Sequence, residues 1–164
     1  MEQYPLQALY NLREMRQGNA RRATAAQRKA VADAVAAVEK ATVELEEFKR
    51  ETERKVEAIY DEIMGLVLSQ KELAEVFARI NGMYAEVERK KLELEGLKQK
   101  VIEEEQRLEE LKQLQHKRDM DVARLDRHKE IWAEKQREIE EYKAEQALED
   151  FVPRKPNFFD EPEE

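Results

Sequence analysis

Apolar residues recur three and four positions apart through most of this chain. The first run reads Val31, Val35, Val38, Thr42, Leu45, Lys49, Thr52, Val56, Ile59, Ile63 and Leu66. Alternation of three and four is the heptad signature of helices that pack along one seam. Thr42, Lys49 and Thr52 are polar members of that run, placed to weaken it locally and to help set its register. A second apolar face runs through Leu73, Val76, Phe77, Ile80, Tyr84, Val87 and Leu94, and continues through Val101, Leu108, Leu111, Val122, Leu125, Trp132 and Ile139. The pattern drifts near residues 91–98, where a local change of coiling is expected.

The two runs are separated by Met64-Gly65-Leu66-Val67-Leu68-Ser69, the clearest interruption in the chain. Ser69 followed three residues later by Glu72 is a capping box and predicts a helix starting there. Asn81-Gly82 is a second possible turn, because that dipeptide favours positive φ. The capping box and the unbroken helical spacing around Asn81 favour residues 65–69. Pro5 suits a first helical turn, where its missing N–H costs nothing. Gly18 weakens the first helix by about 1 kcal/mol without ending it. Ala20, Ala23, Ala26, Ala30 and Ala34 give that helix a small-residue face that a partner helix can approach closely.

The expected fold is therefore all-α: a long two-helix antiparallel coiled-coil hairpin with a flexible C-terminal tail. Residues 1–64 form the first arm, 65–69 the turn, 70–148 a longer second arm and 149–164 the tail. At 1.5 Å per residue the first arm would extend about 90 Å. Pairing outward from the turn leaves the second arm without an intramolecular partner beyond about Arg127, so Trp132, Ile139 and Tyr142 would wait for another molecule. Leu66, Val67 and Leu68 either pack under the turn or form a second contact point. Pro153, Pro156 and Pro162 interrupt any helix in the tail. Its Phe151, Phe158 and Phe159 either dock or stay free.

Composition narrows the function. Of 164 residues, 41% are charged and only four are Gly and four Pro. The mean hydropathy of -0.90 leaves no apolar mass for a thick core, whereas the mixture suits long helices. There is no cysteine, hence no disulfide or thiolate metal site, which fits a reducing compartment. No apolar run approaches the roughly 20 residues of a membrane span, and the opening residues lack the pattern of a signal peptide. A net charge of -8 argues against general nucleic-acid binding, which needs a positive surface. Arg13, Arg16, Arg21, Arg22, Arg28 and Lys29 do make part of the first arm basic. That stretch is an ordinary solvated surface, a contact for an acidic partner, or a target for the acidic tail.

Catalytic chemistry is hard to find. His116 and His128 lie in no His-x-x-x-His or Glu-x-x-His spacing, so helix-borne metal motifs are missing. No phosphate loop or Gly-x-Gly-x-x-Gly occurs. Runs such as Glu103-Glu104-Glu105 read as solvated helix surface. The reading is a non-enzyme with no catalytic residue, cofactor or metal.

Two segments resemble a known family. Tyr4-Pro5-Leu6-Gln7-Ala8-Leu9-Tyr10-Asn11-Leu12-Arg13-Glu14-Met15-Arg16 resembles the amino-terminal signature of the YscO/FliJ family. Arg124-Leu125-Asp126-Arg127-His128-Lys129-Glu130-Ile131-Trp132 resembles its late segment, most visibly in chlamydial-type members. The alanine-rich first arm and the Pro/Phe-rich tail depart from the family. The resemblance implies a central stalk of the type III secretion ATPase, similar to the coiled-coil part of a rotary ATPase γ subunit. It also implies escort of secretion chaperones, an export-gate partner, a monomer when free, and a place on the cytoplasmic side of the apparatus. On that basis Leu6, Leu9, Leu12, Arg13 and Arg16 are candidate ATPase contacts. Leu125, His128, Lys129 and Trp132 would belong to the same end or to a chaperone-binding face, and Tyr4 is a further candidate contact for the ATPase or a chaperone. The alternative is a generic coiled-coil scaffold whose arms pair between chains as dimers or filaments.

Overall fold

The computed structural model describes residues 3–151. It consists of two helices, α1 (Gln7–Ile63) and α2 (Gln70–Asp150). Residues 152–164, which include Phe158, Phe159 and the three tail prolines, lie outside the described residues, and so does the reading of the tail as flexible. Phe151 is exposed and closes the last turn of α2 through its N–H on the Leu148 carbonyl. The described residues divide into two compact units, one of residues 18–117 and one joining residues 3–17 to 118–151.

In the unit of residues 18–117 the two helices run antiparallel along one seam. From α1 it buries Ala20, Thr24, Gln27, Ala34, Leu45, Thr52, Val56 and Ile59, and from α2 Ile80, Val87 and Leu94. Val31, Val38, Ala41 and Ile63 of α1 and Val76, Met83, Leu97, Val101, Leu108 and Leu111 of α2 fill intermediate, half-buried places. Spacing alternates between three and four throughout. The 91–98 stretch keeps this rhythm, because Lys90 and Lys91 supply half-buried stems where an apolar residue is missing. The Lys90 ammonium then lies 4.8 Å from the Phe48 ring, a cation–π contact.

The seam departs from the expected one in the alanine-rich stretch. Val35 is 37% exposed while Ala34 beside it is buried, and Thr42 turns outward with its hydroxyl donating to the Val38 carbonyl. The expected run is off by one position at Val35 and Thr42, where Ala34 and Ala41 of the small-residue stretch take the seam instead. Likewise Phe77 and Tyr84 are each 45% exposed, while Val76 and Met83 point inward. The alanine face leaves an opening of about 280 Å³, lined by Ala30, Asp33, Ala34, Ala37, Leu97, Lys100 and Glu104. Near the turn Val56, Ile59 and Ile80 form one apolar cluster with Val76 and Met83 against it.

Buried polar residues cross the seam. Thr24 is 2% exposed and donates its hydroxyl to the Ala20 carbonyl at 3.0 Å and the Leu111 carbonyl at 3.4 Å. The Gln27 amide donates to the Glu104 backbone carbonyl at 3.0 Å and also to the Glu104 carboxylate. Burial without such partners would be unfavourable.

The turn follows from two local signals. Gly65 has a φ of +84°, a conformation that side-chain-bearing residues rarely adopt, and the Leu66 N–H closes onto the Ile63 carbonyl. The Ser69 hydroxyl then accepts from the Glu72 N–H at 3.2 Å, while the Glu72 carboxylate accepts from the Ser69 N–H at 2.8 Å. That reciprocal pair satisfies donors orphaned at the helix start and holds the Glu72 carboxyl below its usual range. Between these signals Leu66 and Val67 point outward, and Leu68 is half-buried. Packing of all three under the turn therefore fails for Leu66 and Val67, whereas Leu68 is partly covered. α2 passes without a break through Asn81-Gly82.

Candidate partner-binding site

The unit that joins residues 3–17 to the far part of α2 gathers all ten candidate residues. Tyr4 precedes α1, and its carbonyl accepts the Gln7 N–H at 3.1 Å. Its side chain is only 6% exposed. The phenol oxygen and His128 Nδ1 share a hydrogen bond of 2.7 Å. The ring meets Trp132 edge to face at 5.5 Å between centroids and leans on the His128 ring at 5.7 Å. Aromatic pairs favour such tilted geometry because the positive edge of one ring faces the negative face of another.

The next layer is built from Tyr10, Asp126 and Lys129. The Lys129 ammonium stands 5.0 Å from the Tyr10 ring and 6.0 Å from that of Tyr4. Tyr10 is pushed up to about 12, chiefly by its hydrogen bond to Asp126, then by slight burial and the negative charges of Asp126 and Glu14. A phenol that donates to a carboxylate resists losing its proton. Leu125 and Val122 are buried beneath, at 6% exposure each. Arg13 Nη1 donates to the Asp121 carbonyl at 3.2 Å, and Gln17 Nε2 to Asp119 Oδ1 at 2.8 Å.

The candidates thus fall into two groups. Tyr4 and Leu125 are buried, and Leu6, Arg13, Lys129 and Trp132 are half-buried, while His128 keeps an exposed edge. Leu9 and Leu12, each 37% exposed, and Arg16 line the outside of α1. Met15, 56% exposed and three residues after Leu12, extends that outer apolar set; it lies in the family-like segment but was not among the candidate contacts.

Pairing reaches further than expected. Trp132 does not stand free beyond Arg127, because Tyr4 lies along α2 and carries the contact about one turn past the start of α1. From Arg137 onward α2 is exposed on all sides. Ile139, Tyr142 and Leu148 are 44%, 61% and 71% exposed. Tyr10, Asp126 and Gln17 are part of the cluster and were not among the candidates, since only contacts across the helix pair bring them in.

Among the described residues no group of His, Asp and Glu side chains is placed to hold a metal ion. No helix among them is long and apolar enough to cross a membrane.

Comparison with known proteins adds one finding. Neither the curated proteins nor the solved structures give a significant match. The family model described as type III secretion protein YscO matches residues 6–154. That span takes in both helices and nine of the ten candidate residues, and by it the chain belongs to the YscO family of type III secretion proteins.

Proposed function

We propose that this secretion protein acts as a non-enzymatic central stalk of the export ATPase and as an escort for secretion chaperones, with residues 3–17 and 118–151 as the end that meets them. The observation that carries this reading is the family match across residues 6–154. The surface chemistry supports it: Leu9, Leu12 and Met15 on α1, with Ile131 and Ile139 on α2, hold apolar side chains in water, the kind of surface that marks a contact site. Arg16 and Arg13 beside them favour a partner with acidic groups, which sets orientation and encounter rate. The mechanism is positional. A helix pair with unlike faces, held in a ring of like subunits, biases the arrangement of those subunits and so promotes their assembly or coupling. The export-gate protein is a further partner, and the site of action is the cytoplasmic side of the apparatus. A monomer when free belongs to this reading, against the alternative of a scaffold whose arms pair between chains.

The test mixes the purified chain with the export ATPase of its own system and follows ATPase mass by light scattering and turnover by phosphate release. Assembly and turnover are expected to rise. Leu9→Asp combined with Leu12→Asp should weaken binding by roughly tenfold or more, as loss of central interface residues does. A wild-type chain that changes neither quantity and retains no export chaperone would overturn the reading.

A further inference from the structure

Tyr4 is among the most buried apolar residues of the chain, yet it belongs to no helix. Only the short lead of residues 3–6 carries it, and that lead is tied to α1 by two first-turn bonds, Gln7 N–H to the Tyr4 carbonyl and Tyr10 N–H to the Leu6 carbonyl. Its side chain meets α2 through a phenol–imidazole hydrogen bond with His128, an edge-to-face contact with Trp132 and a distant cation on Lys129. Such contacts are individually weak, and ordering several residues to make them costs conformational entropy of similar size. Segments held in this balance open locally without unfolding the elements beneath. Pro5 assists, since it fixes one backbone angle of the lead and makes the lead move as a stiff unit.

We propose that residues 3–6 form a self-docking strap: closed, Tyr4 covers Trp132 and His128; open, it uncovers them while both helices stay intact. The seam below gives the reason the helices survive opening. Val122 and Leu125 are buried beneath the layer of Tyr10 and Lys129, and Arg13 and Gln17 anchor α1 to α2 independently of Tyr4. Opening therefore changes what lies on the surface of α2 without separating the pair. A consequence, resting on the stalk and escort reading above, is that the strap competes with a partner for Trp132. Tyr4 would then be a gate and not itself a contact.

Trp132 is the single tryptophan of the chain, so its emission reports the strap directly. Acrylamide quenching of Trp132 is measured in the full chain for wild type, Tyr4→Phe and Tyr4→Ala, with helicity followed by circular dichroism. Quenching is expected to rise from wild type to Tyr4→Phe, which loses only the bond to His128, and further to Tyr4→Ala, with a red shift of emission and unchanged helicity. Equal quenching in wild type and Tyr4→Ala overturns the strap. So does a rise in quenching accompanied by a matching loss of helix, which would make Tyr4 a part of the helix pair. Binding to the export ATPase separates the consequence from its premise. Tighter binding by Tyr4→Ala supports the gate, and equal or weaker binding overturns it. If wild type and the Leu9/Leu12 double variant alike bind nothing, the functional reading fails, and the strap is decided by the quenching.

Discussion

Gln27 occupies a seam position that an apolar residue would fill in an ordinary coiled coil. It is 8% exposed and donates to both the carbonyl and the carboxylate of Glu104. Replacing it with Leu removes two hydrogen bonds. The neutral one is worth about 1 kcal/mol and the one to a charged acceptor about 1.5–3 kcal/mol. The second figure falls at this site, because half-exposed Glu104 can turn its carboxylate back to water. The Leu side chain gains about 1.5–2 kcal/mol from burial. Gln27→Leu should therefore lie within about 1 kcal/mol of wild type, whereas Gln27→Ala, which gains nothing, should lose about 2 kcal/mol. Urea unfolding followed by circular dichroism measures both. A double-mutant cycle of Gln27→Ala with Glu104→Ala isolates the carboxylate bond alone, because the carbonyl bond survives the second change; a coupling of about 1 kcal/mol is expected. Polar seam residues also exclude wrong pairings. Gln27→Leu should accordingly show a light-scattering mass that climbs with concentration. Equal destabilisation by Leu and Ala, or a coupling of zero, would refute this account of the polar layer.

Two further predictions concern backbone and pH. Gly65→Ala should cost about 1–2 kcal/mol from its left-handed φ alone, since no atom lies within 4 Å of the added Cβ. Gly82→Ala, in open space within α2, should stabilise by up to about 1 kcal/mol; the same sign in both thermal melts would contradict the turn assignment. Tyr10 is raised in the folded chain from 10.0 to about 12, so the unfolded chain releases this proton first. Its contribution is complete below pH 10 and is lost as pH climbs through 12. Tyr10→Phe should flatten that alkaline limb of the melting temperature, and an unaltered limb would show that Asp126 does not hold the phenol.

Helix content, the turn and the pairing of the arms were readable from order along the chain. Heptad spacing, Gly65 and the Ser69/Glu72 box act over a few residues, and their physics is local. The family resemblance was equally legible, since it rested on contiguous segments at Tyr4–Arg16 and Arg124–Trp132, and the match over residues 6–154 agrees with it. The site was legible only as a set of residues that an antiparallel pair would bring to one end. Which of them face inward was not.

Those choices belong to the tertiary structure. Whether Ala34 or Val35 lies in the seam depends on how closely α2 approaches, and a small side chain wins wherever the backbones come near. Gln27 and Thr24 become seam residues only because Glu104 and Leu111 stand opposite with acceptors. Tyr4 looked like a surface contact while only its neighbours in the chain were considered. It is buried because His128 and Trp132, more than a hundred residues away, offer a hydrogen bond and a ring edge. Sequence spacing sets which helices form, whereas burial depends on what the opposite helix presents, and that is known only once both are in register.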